Sequence, residues 1–168
     1  MADLTRLCIF KTMDGLKLHD AAATGDRDAM EDLLKSEKID INLADEEYHN
    51  YTALHWACSK GYSECVRLLL EFGAKGTSRS DQGWTPAHCA AETGRTPALR
   101  ALYSAGVSVH KKDKYGDTPR RIATIYGHAD CVKFLIQAGA EMAAKRQQGE
   151  SDSDDSSDDE TNAEKSEP

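Results

Sequence analysis

The sequence predicts an all-α solenoid of four stacked helix-turn-helix repeats. Three observations lead there. Thr52-Ala-Leu-His-Trp-Ala-Cys58 recurs as Thr85-Pro-Ala-His-Cys-Ala-Ala91 and again as Thr118-Pro-Arg-Arg-Ile-Ala-Thr124, with the threonines 33 residues apart each time. Gly61, Gly94 and Gly127 keep the same interval, as do Gly73, Gly106 and Gly139. Between the glycines, apolar residues stand at helical spacing, as in Val66, Leu69 and Leu70, or Val132, Leu135 and Ile136. Self-similarity at a fixed period of this size marks units that bury their faces only by stacking.

Residues 1–14 are a lead-in. The first repeat, 15–50, holds Leu18-His-Asp-Ala-Ala-Ala-Thr-Gly25, which lacks the threonine and precedes its successor by 36 residues (His19 to His55). Repeats follow over 51–83, 84–116 and 117–146. In each, threonine caps a first helix, and Pro86 and Pro119 suit the first helical position, where a missing N–H leaves no bond unmade. Gly94 ends that helix in its repeat. Gly73, Gly106 and Gly139 are expected to stop the second helix as caps able to take positive φ. A short extended stretch (Ile39–Asn42, Val107–His110) and a turn closed by Gly83 or Gly116 complete the unit. Asn50 stands where the second repeat's turn glycine belongs, and asparagine tolerates left-handed geometry. The turn Ala44–Asn50 is about three residues longer than its counterparts, which gives a longer finger.

This pattern, with its 33-residue period and T-P-x-H-x-A motif, resembles the ankyrin repeat over residues 15–141. The resemblance implies a non-enzymatic protein-binding module whose turn tips and inner helices line a concave groove. Departures are Ala53 in place of proline and Arg121 in place of the motif histidine. End repeats of such arrays need polar outer faces, which Asp28, Glu31 and Asp32 at one end and Lys133 and Gln137 at the other would supply.

Composition narrows the function. The net charge of −8 resides in the tail: residues 150–168 hold nine acids and one base, so residues 1–149 sum to zero. A neutral body suits nucleic acid poorly, because that binding leans on clustered Lys and Arg. Lys111, Lys112 and Lys114 read as a solvated turn flank. No apolar run reaches the roughly 18 residues of a membrane span, and the start lacks a sustained apolar core for secretion. Five cysteines without a C-x-x-C pair point to a reduced, intracellular protein, cytoplasmic or nuclear; a monomer is expected. Neither a phosphate-cradling glycine loop nor a cofactor motif is present.

His19, His55 and His88 invite a metal or acid–base reading. They occupy the motif slot, and the resemblance implies that they bond within and between repeats, about 10 Å apart. Zn–N bonds are near 2 Å, so they cannot share one zinc ion. No metal site is expected. Cys58, Cys65 and Cys131 fall on small-residue slots and read as small hydrophobes. Cys89 matches Trp56 and Ile122 nearer the inner face and is the one candidate for a reactive thiol.

The groove positions implied by the resemblance are Tyr48, His49, Tyr51, Ser59 and Lys60; Asp81, Gln82, Trp84, Glu92 and Thr93; Lys114, Tyr115, Asp117, Ile125 and Tyr126. Four of six tyrosines and one of two tryptophans fall there. Aromatic side chains dominate binding hot spots, so a protein partner along this row is expected.

Residues 147–168 contain no apolar residue larger than Ala163 and are expected to be disordered. Ser151, Ser156, Ser157 and Thr161 each precede an acid by three residues, a spacing that resembles acidophilic kinase targets. Two alternatives to an adaptor or regulatory subunit remain. Gly116-Asp-Thr with Ile125-Tyr-Gly is similar to the last repeat of cyclin-dependent kinase inhibitors, which lack the long acidic tail. An acidic histone- or chromatin-binding tail is the other.

Overall fold

The computed structural model describes residues 16–36 and 39–148. The lead-in and the tail from residue 149, including Ser151, Ser156, Ser157 and Thr161, lie outside the described residues. Eight helices occur among the described residues: α1 over 16–24, α2 (Arg27–Lys35), α3 (Ala53–Lys60), α4 (Ser63–Glu71), α5 (Pro86–Glu92), α6 (Thr96–Ser104), α7 (Pro119–Ile125) and α8 (Ala129–Gln147). None is long and apolar enough to cross a membrane.

The helices form two rows. α3, α5 and α7 stack side by side as the inner row; α2, α4, α6 and α8 form the outer row, and each of the last three repeats pairs one of each. Inner helices carry the small buried residues Ala53, Ala57, Ala87, Ala90, Ala91 and Ala123, which let backbones approach closely. Outer helices supply bulk: Met30, Val66, Leu69, Leu99, Leu102 and Leu135 are shielded almost completely. One continuous core therefore runs between the rows through all four repeats.

Glycine is required where consecutive repeats touch. Gly94 has φ +71°, and a Cβ there would meet the His128 ring at 2.6 Å. Gly61 against Arg95 and Gly25 against Tyr62 repeat that arrangement one and two units earlier. His128 exploits the proximity, donating from Nε2 to the Glu92 carbonyl at 2.8 Å.

The long finger forms as the sequence predicts. Asp45 and Tyr51 make an antiparallel bridge, with His49 and Asn50 both left-handed at φ 54° and 57°.

Gly139 does not cap its helix. It lies inside α8, which continues to Gln147 and is closed by Gln148. Gly73 and Gly106 are left-handed as expected, whereas Gly139 is not. Those two must turn the chain into another unit. After Gly139 the chain meets Ala140-Glu-Met-Ala-Ala-Lys-Arg-Gln147, all good helix formers, with no described unit beyond. The helix therefore runs through the boundary at 146. Ile136 also differs from its counterparts: with no described unit stacked on the last repeat it is 51% exposed, although Lys133 and Gln137 face solvent as expected.

Candidate protein-binding face

A ladder of histidines fixes the turn tips to the inner helices. In α3, His55 Nδ1 accepts from the Thr52 N–H at 3.1 Å and lies 2.9 Å from its hydroxyl. With Nδ1 accepting, the ring proton sits on Nε2, which donates to the Trp84 carbonyl at 3.0 Å. His88 repeats the geometry with Thr85 and the Asp117 carbonyl, and His19 Nε2 lies 3.0 Å from the Tyr51 carbonyl. Each accepting carbonyl also closes its own turn, taking the N–H of Asp45, Ser80 or Asp113. Burial pushes His55 down to about 4 and lowers His88 as well, so both rings stay neutral. The histidines are structural parts, and no cluster able to hold a metal occurs among the described residues. Arg121 fills the slot in the fourth repeat, where no described unit follows. It pairs instead with Asp117 Oδ1 at 2.8 Å.

Tip joins tip through the main chain. The Asp81 N–H donates to the His49 carbonyl at 2.9 Å and the Lys114 N–H to the Gln82 carbonyl at 3.2 Å. The Asn50 side-chain amide donates to the Asp81 carboxylate. These bonds hold His49, Asp81, Gln82 and Lys114 in one row with their side chains exposed, His49, Asp81, Gln82 and Lys114 all facing solvent. At the inner helices' far ends, the Thr93 hydroxyl donates to the Ser59 carbonyl at 2.8 Å, linking Lys60's neighbourhood to Glu92's.

The row's aromatic residues divide. Tyr115, Tyr48 and Tyr126 are 76%, 55% and 53% exposed, and Ile125 is exposed beside Tyr126. Tyr51 and Trp84, expected to be exposed with them, are half-buried. Tyr51 stacks on His55 at 5.1 Å and meets Trp56 edge-on at 5.9 Å. Trp84 stacks on His88 at 6.1 Å, and its indole N–H donates to Asp113 Oδ2 at 3.1 Å. Tyr48 leans on Trp56 at 5.4 Å yet keeps most of its ring in solvent. Asp117 is half-buried, since its carbonyl is a ladder acceptor.

Sequence reasoning missed Asp113. Its Oδ1 accepts the N–H groups of Tyr115 and Asp117, both at 2.8 Å, so one buried carboxylate builds the third tip and holds Trp84. The signal was there as Asp113-x-x-Gly116, an acceptor at the start of a turn. Cys89 does not behave as a reactive thiol. It is buried, and burial pushes it up to about 12, the reverse of the lowered value a nucleophile needs. Cys58, Cys65 and Cys131 are buried as well.

A family model of ankyrin repeats in three copies matches residues 18–113 and 83–146, together most of the chain. The chain belongs to the ankyrin repeat family. Ankyrin repeats are protein–protein interaction modules, and they are generally non-enzymatic. Human ankyrin repeat domain-containing protein 7 is 40% identical over 55 residues, 33% of this chain and 21% of that protein. Human 26S proteasome non-ATPase regulatory subunit 10 is 40% identical over 57 residues, 33% of this chain and 25% of its own. Palmitoyltransferase akr1 of Schizosaccharomyces pombe is 44% identical over 54 residues, but only 8% of that enzyme is covered. The chain thus spans a quarter or less of each of these ankyrin proteins.

Proposed function

We propose that this ankyrin stack is a monomeric, non-enzymatic adaptor or regulatory subunit, cytoplasmic or nuclear, that holds a protein partner along its turn tips and inner helices. The observation that carries the reading is Tyr48 and Tyr115 standing in solvent on turn tips whose backbones are bonded one to the next, with Tyr126 exposed at the far end of α7. Rigid aromatic rings offer contact area with little rotamer entropy to lose, and a fixed backbone adds no ordering cost. Lys60, Asp81, Gln82, Glu92, Lys114 and Asp117 supply polar contacts between the rings. Regulation as part of a larger assembly is in keeping with the similarity to a proteasome regulatory subunit. The segments Gly83–His88 and Gly116–Gly127 are also similar to those of the small ankyrin repeat domain-containing protein 66, a likeness that brings no activity with it.

The test is affinity capture with mass spectrometry, comparing the intact chain with Tyr48→Ala/Tyr115→Ala/Tyr126→Ala after circular dichroism shows both folded. Partners lost from the variant are the expected result. An unchanged set would refute the tip-and-groove reading.

A further inference from the structure

A groove of about 570 Å³ opens on the end face of the last repeat, between α7 and α8. Arg120 and Arg121 stand on one side, Ile136, Gly139 and Ala140 on the other, and His110 lines it as well. Two features leave this face unfinished. Ile136 is an apolar side chain half in solvent, and His110 Nε2 is shielded from solvent without a hydrogen-bond partner. A buried polar atom without a partner is costly, so an occupant that brings a hydrogen-bonding group is favoured.

The face is also positive. Arg120 and Arg121 line it, no acid is among its described lining residues, and Lys145 and Arg146 follow on α8. Burial first, then the charges of Arg120 and Arg146, push the His110 imidazole down, and Arg146 stands seven residues, about two turns, beyond Gly139 on the same side of α8. The acids around it are engaged: Asp117 with Arg121, and Glu141 with Tyr103 and Gln137.

The chain itself carries a matching anion. It leaves α8 at Gln148, about 12 Å along the helix from Ala140 at 1.5 Å per residue. Twenty residues follow, able to reach roughly 66 Å when extended. Nine of the last nineteen are acidic and one is basic. Tethered this closely, the segment faces the groove at an effective concentration on the order of millimolar.

We propose that residues 150–168 of the same chain seat on this end groove, their carboxylates against Arg120, Arg121 and Arg146, and so cover the open face of the stack. The inference goes beyond partner binding at the tips and uses a different surface. It also gives phosphorylation at Ser151, Ser156, Ser157 or Thr161 a direction, since each phosphate adds about −1.5 to −2 charges and tightens the contact.

Paramagnetic relaxation in the intact chain tests it. A nitroxide is placed on Ser157→Cys in a Cys8→Ser background, where the other four thiols are buried. At low salt it should remove more than half of the amide signal over residues 118–125 and 136–140, and high salt should restore it. The loss should disappear in R120E/R121E, and also in D154K/D155K/D158K/D159K, whose substitutions leave the repeats untouched. A mixture of nitroxide-bearing and isotope-labelled chains reports occupancy by a second copy, whose acidic first repeat is the competing occupant. Broadening seen only in that mixture, broadening indifferent to both charge reversals, or none at all would overturn the proposal.

Discussion

His55 Nε2 lies 3.0 Å from the carbonyl oxygen of Trp84, the residue that ends the next repeat's turn. The same imidazole holds the start of its own helix through Nδ1. One side chain thus sets both the local cap and the spacing between units, and His88 does the same one repeat on.

His88→Ala should therefore lower stability by about 2–4 kcal/mol, since it strands the Thr85 N–H, removes one of the two donors to the Asp117 carbonyl and leaves a void. Arg121→Ala, in the same slot but exposed, should cost less than about 1 kcal/mol. Urea denaturation of both reads the difference; equal losses would remove the ladder's structural role.

The ladder predicts a pH dependence. Folded His55 titrates near 4 and His88 is also lowered, while the unfolded chain titrates near 6.5. Below 6.5 the unfolded state binds more protons, so stability is complete above that pH and declines as pH falls toward 4. At 1.36 kcal/mol per unit, His55 alone accounts for a loss of about 3 kcal/mol. Urea midpoints between pH 7.5 and 4.5 should fall, and the fall should shrink in His55→Gln.

Tyr115→Ala and Trp84→Ala should separate binding from folding. Tyr115 is 76% exposed, so its loss should change stability by less than about 0.5 kcal/mol and partner affinity by about 2 kcal/mol. Trp84 is half-buried on His88 and bonded to Asp113, so its removal should cost about 2 kcal/mol of stability before any partner is added. Thermal melts beside binding titrations decide; a Tyr115→Ala chain with full affinity would count against the tip row.

Leu69 is completely buried in α4 between neighbouring repeats. Leu69→Ala should destabilise by roughly 2–5 kcal/mol through the cavity it leaves. A loss under 1 kcal/mol would mean that the two helix rows relax around it.

Two glycines should respond oppositely to alanine. Gly139 is helical, with ordinary contact to His110 at 3.5 Å from an added Cβ, so Gly139→Ala should stabilise by about 0.5–1 kcal/mol. Gly83 has φ +80°, and its Cβ would stand 2.8 Å from the Lys114 nitrogen, so Gly83→Ala should destabilise by more than about 1 kcal/mol. Denaturation midpoints moving in one direction for both would contradict the helical placement of Gly139.

Most of the architecture was legible because every unit must meet the same neighbour, which forces Thr85, His88 and Gly94 to recur at one interval. Gly139 was not, because a glycine's part depends on what the chain does next, and here it simply continues as helix. The tips were locatable from register, but register does not say how much of a ring stays wet. Trp84 is drawn inward by Asp113, a partner 29 residues away, and His128 reaches Glu92 across 36. Such pairs follow no motif and become visible only when the units are stacked.

Arg121 has a consequence for the size of the object. A solenoid is an open polymer: nothing in the stacking of one unit on another says where to stop. Three units each extend an imidazole toward the next, and the fourth extends a guanidinium paired with its own Asp117. Another unit arriving at that end, from this chain or a neighbour, would find no hook and would have to bury a cation. Among the described units the imidazole hook stops at the fourth, where one arginine replaces it.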